Sequence, residues 1–150
     1  MAGKMRSMIK FTTCSAAETR ALGENFGKRL QGGEVLALSG NLGGGKTVFT
    51  RGLAVGLRIK KNVTSPTFAV LHPYPKAGPR KNLTLYHFDL YRLKSPSELV
   101  GLGWTEVLAD QHGIVVVEWP EKAKKLLPKK ALRIKFTLSK QPNERIVEIS

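Results

Sequence analysis

Gly40-Asn41-Leu42-Gly43-Gly44-Gly45-Lys46-Thr47 satisfies the pattern G-x-x-x-x-G-K-[ST] at every fixed position. The residues around it supply the context such a loop needs. Glu34-Val35-Leu36-Ala37-Leu38 precedes it as a short apolar run that reads as a buried strand, and Thr47 to Leu57 follows with apolar residues at helical spacing. Strand, glycine loop and helix in that order form a cradle for an anion. Glycines let successive N–H groups point at one spot, and the helix beginning near Gly45 directs the positive end of its dipole there. In this reading Lys46 reaches the outer phosphates of a nucleotide, ATP or GTP, and the Thr47 hydroxyl ligates a bridging magnesium ion. The competing reading, a glycine turn that binds nothing, leaves the whole pattern to chance.

A chain of 150 residues is expected to form a single domain spanning 1–150, with residues 1–8 disordered. No run approaches the ~18 apolar residues that cross a bilayer, so no membrane segment is expected. The lone Cys14 cannot form an internal disulfide, and the N-terminus lacks an apolar signal stretch, which points to the cytoplasm. Lys and Arg number 25 against 11 acidic residues, for a net charge of +14 and a pI near 10.2. The surplus is densest between Lys122 and Lys135. Such a field attracts polyanions, and tRNA contact through the basic surface is one reading; a solvated face that aids solubility is the other.

Outward from the loop, Ile9 to Thr12 reads as a strand, and Ser15 with Glu18 has capping-box spacing for a helix carrying Leu22, Phe26 and Leu30 to Gly32-Gly33. That helix is expected to pack on a sheet. Phe68 to Leu71 reads as a strand ended by Pro73, Pro75, Gly78 and Pro79, and Asn82 to Asp89 as the next. Ser95-Pro96-Ser97-Glu98 opens a helix, and a short one follows near Thr105 to Ala109. Gly113 to Glu118 is an unbroken apolar run of the kind buried on both faces of a parallel sheet. Ala131 to Ser139 and Asn143 to Ile149 close the chain as a hairpin. The fold class is α/β: a three-layer, P-loop NTPase-like arrangement with a mostly parallel central sheet and an antiparallel C-terminal hairpin.

Ligands of open α/β sheets bind at the carboxyl ends of strands, which singles out Asp89 and Glu118. With Thr47, either or both can serve magnesium, and the second carboxylate can orient or deprotonate the attacking water. The residues alone leave those roles open, as they leave open structural ion pairs with Arg92 or with a lysine of the basic tail. Ser65-Pro66-Thr67 reads either as a switch whose hydroxyls sense the γ-phosphate or as a plain turn. His87 and Tyr91 read as packing residues.

G-N-L-G-G-G-K-T, S-P-T-F, Y-H-F-D-L-Y-R-L and E-W-P-E, taken in order, resemble the bacterial TsaE (YjeE) family, the small ATPase of the tRNA threonylcarbamoyladenosine machinery. The resemblance runs from about Thr13 to Pro128. It implies that Gly40 to Thr47 bind ATP, that Thr47 and Glu118 serve Mg2+, that Asp89 acts at the γ-phosphate or metal, that Ser65 to Thr67 form the switch and that Trp119 flanks the catalytic acid. It also implies work with TsaD and TsaB, the carbamoyl transfer belonging to TsaD. Two positions depart from the family pattern: Asn41 stands where an aspartate is usual, and Val48 where a second threonine is common. A small-molecule kinase using the same loop is the alternative, though no separate lid segment is apparent. An RNA-binding module without enzymatic activity is a third reading.

Overall fold

A computed structural model describes residues 7–41, 45–64, 70–75 and 82–150. Leu42, Gly43 and Gly44 of the glycine loop, Ser65 and Thr67 of the candidate switch, and most of the segment expected to be disordered lie outside the described residues.

The described chain runs β1 (Ile9–Thr13), α1 (Ala16–Arg29), β2 (Val35–Gly40), α2 (Lys46–Gly56), β3 (Leu71–Pro75), β4 (Thr84–Asp89), α3 (Ser97–Gly101), α4 (Trp104–Ala109), β5 (Gly113–Glu118), a 3-10 helix (Pro120–Leu126), β6 (Leu132–Leu138) and β7 (Arg145–Ile149). The strands form one sheet in the order β1-β7-β6-β2-β5-β4-β3. Its inner strands β6, β2, β5 and β4 are parallel, while β3 on one margin and β7 and β1 on the other are antiparallel. The β6–β7 hairpin is the one expected from the C-terminal sequence.

Side-chain alternation divides the core between the two faces. Leu36, Leu38, Ile114, Val116, Ile134 and Phe136 join the α2 residues Phe49 and Leu53 on one side. Val35, Val115, Val117 and Phe88 join Leu99 of α3, Trp104 of α4 and Ala123 of the 3-10 helix on the other. Helices therefore cover both sides of the sheet. β5 is buried along its whole length, as its unbroken β-branched run requires.

Ser15 caps α1, its Oγ accepting from the Glu18 N–H at 3.1 Å, and the Glu18 carboxylate accepts from the Cys14 N–H at 2.6 Å. The helix stops at Arg29, short of Gly32-Gly33. Its expected place on the sheet is shared with a closer partner. Leu22, Phe26 and Leu30 touch the sheet's cluster, but the main contact of α1 is α2. The two backbones meet at glycines from both sides: a Cβ on Gly23 or Gly27 would strike the carbonyl oxygens of Phe49 or Leu53, and one on Gly52 or Gly56 those of Arg20 or Glu24. Missing side chains permit that approach, so these glycines serve packing where a helix would otherwise prefer alanine.

Pro73 lies inside β3, and Pro75 is its last residue. The Asp89 N–H donates to the Val70 carbonyl, so Val70 and, by alternation, His72 and Tyr74 direct their backbone groups at β4. The prolines face outward from an edge strand, where no N–H is needed. α3 begins at Ser97, two residues beyond the expected cap; the Ser95 hydroxyl bonds Ser97, and Glu98 reaches back to the Lys94 N–H. β4 begins at Thr84 rather than Asn82. The 3-10 helix after β5 carries no sequence expectation; Trp119, with φ 57° and ψ 51°, turns the chain into it.

Candidate functional site

The parallel strands deliver the site residues to one pole. β2 ends at Gly40, β4 at Asp89 and β5 at Glu118, and register pairs Asp89 with Glu118 and Leu38 with Glu118. Gly40 has φ +134° and lies so close to Phe136 of β6 that a Cβ would meet the Phe136 carbonyl oxygen. Asn41 follows, exposed. Gly45, at φ +99°, caps α2 from the left-handed region that glycine tolerates best, with Thr19 of α1 beside it. The first turn of α2 has no acidic residue and Gly45 offers no capping side chain, which leaves the helix N-terminus electropositive.

Lys46 is the first residue of α2 and is buried, 6% exposed. Its ammonium donates to the Gly40 carbonyl at 2.8 Å and lies 4.0 Å from the centroid of the Trp119 ring. Burial pulls its pKa below the ordinary lysine value, and the negative charges of Glu118, Glu121 and Asp89 oppose that shift. The Thr50 hydroxyl donates to the Lys46 carbonyl at 2.8 Å and Thr47 is partly buried in the same turn. Trp119 in turn meets Tyr91, ring centroids 5.1 Å apart. The lysine therefore rests on a loop carbonyl and an aromatic face, within electrostatic reach of both strand-end carboxylates.

Asp89 is half-buried, and its Oδ1 accepts from the Tyr91 N–H at 3.0 Å. Burial raises its pKa, Glu118 adds to the rise, and the Tyr91 bond with the charges of His87 and Lys46 works against it. Glu118 is 3% exposed. Its Oε2 stands 3.7 Å from His87 Nε2, and its Oε1 has no hydrogen-bond partner among the described residues. A lysine of the basic tail does not pair with it. Among the described residues no three His, Cys, Asp or Glu side chains form a ready metal cage. The carboxylates can therefore supply only part of a cation's shell, the share magnesium usually takes from protein.

Of the residues singled out in the sequence, Gly40, Gly45, Lys46, Thr47, Asp89, Glu118 and Trp119 converge on this pole. His87, Glu121 and Tyr91 join them without having been assigned chemistry. For His87 a signal existed: it precedes Asp89 by two residues on a strand, so both project from the same face.

Residues 13–147 match the family model described as Threonylcarbamoyl adenosine biosynthesis protein TsaE. The chain is 38% identical over 132 residues to a tRNA threonylcarbamoyladenosine biosynthesis protein TsaE of Treponema pallidum, covering 88% of this chain and 93% of that protein. It is 39% identical over 126 residues to the protein of the same name in Bacillus subtilis, covering 84% of this chain and 75% of the other. Its structure is similar to the crystal structure of Bacillus subtilis YdiB, with a TM-score of 0.77 and 31% identity over 98% of this chain and 87% of that one.

Proposed function

This chain belongs to the TsaE family and acts in tRNA threonylcarbamoyladenosine biosynthesis, and from that premise we propose that it is the ATP-binding and ATP-hydrolysing component of that modification. In this reading the fold is that of a P-loop NTPase, and residues 40–47 hold the phosphates of ATP. The observation that carries the reading is the convergence of Lys46, Asp89 and Glu118 on the uncapped start of α2, with Lys46 electrostatically coupled to both carboxylates. Lys46 exchanges the Gly40 carbonyl and the Trp119 face for phosphate oxygens, which offset the cost of burying its charge better than either neutral group. Thr47, Glu118 and Asp89 serve Mg2+. The buried Glu118 carboxylate with an unpartnered Oε1 is what a cation would satisfy. When bound, the metal neutralises charge building on the phosphates. One of the two carboxylates orients the attacking water, and Ser65 and Thr67 sense the γ-phosphate.

Turnover is slow alone, because a domain this small leaves little protein to close over the nucleotide, and TsaD and TsaB complete the site. The test is ATP hydrolysis by the purified protein with and without TsaB and TsaD, beside Lys46→Ala, Asp89→Ala and Glu118→Ala. We expect weak hydrolysis that the partners raise and each variant abolishes. Rapid hydrolysis that ignores the partners, or phosphate passed to an acceptor other than water, overturns the reading.

The basic surface contacts tRNA. Arg133 and Lys135 are exposed on β6 while Ile134 between them and Phe136 after them are buried, so both cations project from one sheet face. Register sets Lys135 and Lys10 on either side of Glu148. The 3-10 helix bearing Lys122, Lys124 and Lys125 contacts β2, the neighbour of β6. None of these six cations makes an ion pair with a described residue. A face on which these cations outnumber the one carboxylate between them fits a phosphate backbone.

A further inference from the structure

His87 has no exposed surface, and among the described residues neither ring nitrogen has a hydrogen-bond partner. Buried polar atoms in folded proteins are paired almost without exception, and an apolar side chain would fill the same volume without that cost. An orphaned imidazole is therefore the sign of a partner engaged in another state of the molecule. The candidate is Glu118, whose Oε2 lies 3.7 Å from His87 Nε2. That separation is too long for a hydrogen bond and needs to shorten by under about 1 Å to become one. Glu118 has its own deficit in the unpartnered Oε1. Lys46, the other donor nearby, is held by the Gly40 carbonyl and the Trp119 ring. Register pairs His87 with Val116 and Asp89 with Glu118, so the imidazole sits one side-chain step behind the two carboxylates on the face that α2 covers.

We infer that His87 is a positioning residue for Glu118: its imidazole donates Nε2–H to Oε2 when nucleotide and cation load the site, which turns Oε1 outward to the cation. The inference rests on the ATP and Mg2+ reading above. It gives the imidazole the place that partners behind a metal ligand commonly hold, fixing the orientation of the group that touches the ion. The donor need only be an N–H at the Nε2 position, which a glutamine amide reproduces and a leucine does not.

The experiment is calorimetric titration of ATP into the full chain and its His87→Leu and His87→Gln variants, without Mg2+ and across a Mg2+ series. 15N spectra of the wild-type histidines accompany it, with and without ADP and Mg2+. We expect His87→Leu to weaken the Mg2+-dependent part of binding about tenfold, the lower end for loss of a partner behind a metal ligand. Metal-free ATP binding should stay unchanged, and His87→Gln should restore most of the loss. The His87 spectrum should report the Nε2–H tautomer, with the proton shifting downfield on loading. Equal Mg2+ dependence in wild type and His87→Leu overturns the inference and leaves the ATP reading standing. Equal losses in His87→Leu and His87→Gln that extend to metal-free binding, or an Nδ1–H tautomer in the loaded protein, also overturn it. Wild-type protein that binds ATP without any response to Mg2+ overturns the metal reading and this inference together.

Discussion

Lys46 and Asp89 carry charges that their surroundings penalise before any ligand arrives, and each makes a measurable statement. Burial lowers the Lys46 pKa, so its ammonium costs stability at neutral pH. Lys46→Met should melt at or above the parent temperature by calorimetry, while ATP affinity falls about 10- to 100-fold, the worth of a hydrogen bond to a charged group. Asp89 has the opposite titration. Its folded pKa is raised, so the native state binds the proton more tightly than the unfolded chain. Stability is then greatest below the ordinary value of 3.8 and falls as pH rises from there through the raised value. Asp89→Asn should lose that acid-side dependence and stand above the parent at pH 7 in denaturant melts. Position revealed both carboxylates in the sequence, because a strand's carboxyl end is where an α/β sheet meets its ligand. His87 escaped because a histidine among apolar neighbours reads as packing; its place two residues before Asp89 was legible, but its lack of a hydrogen-bond partner among the described residues was not.

Elements differ in how openly the sequence declares them. β5 is bounded by the sheet at Gly113 and Glu118, where the β-branched run itself begins and ends, since burial on both faces leaves no polar alternation to blur the limits. β3 was hidden by its prolines, which exclude an inner strand but not an edge whose N–H groups face outward. The 3-10 helix after Trp119 depends on a left-handed residue that is not glycine, a conformation the surrounding fold imposes and residue preference does not announce. The seam between α1 and α2 is the largest omission. Gly23, Gly27, Gly52 and Gly56 read as weak points of two helices, yet each is where one backbone touches the other. Helix preference alone gives Gly52→Ala a gain of about 0.5–1 kcal/mol. Contact with the Arg20 carbonyl reverses the sign, and a loss of about 1–3 kcal/mol is expected in chemical denaturation, as for other overpacked sites. Because α2 begins at Lys46, ATP affinity should fall in the same variant even though the altered residue lies on the helix flank away from the loop.

At the scale of the whole molecule, the cationic stretch of sheet adjoins the candidate pole: register sets Lys135 of β6 beside Ser39 of β2, one residue before Gly40. Replacing Lys10, Arg133 and Lys135 together by Glu should weaken tRNA retention and lower the slope of log affinity against log salt by about one for each phosphate no longer neutralised. tRNA retention should fall by a larger factor than ATP affinity, and filter binding beside calorimetry separates the two. The net charge was plain in the composition, but the meeting of Lys10 with Lys135 on one sheet face was not, because register across β1, β7 and β6 joins strands far apart in the chain. The outward prolines of β3 have a different consequence for copies of the protein meeting in solution. A strand edge recruits another strand by offering it donors at every second residue, and Pro73 and Pro75 offer none. Growth of a shared sheet is hindered along Pro73 and Pro75, and the other edge of the described sheet is β1, beside which Met8, Ile9 and Phe11 stand exposed. Self-association along the sheet thus has one readier edge, which favours a closed pair of edges over an open fibre.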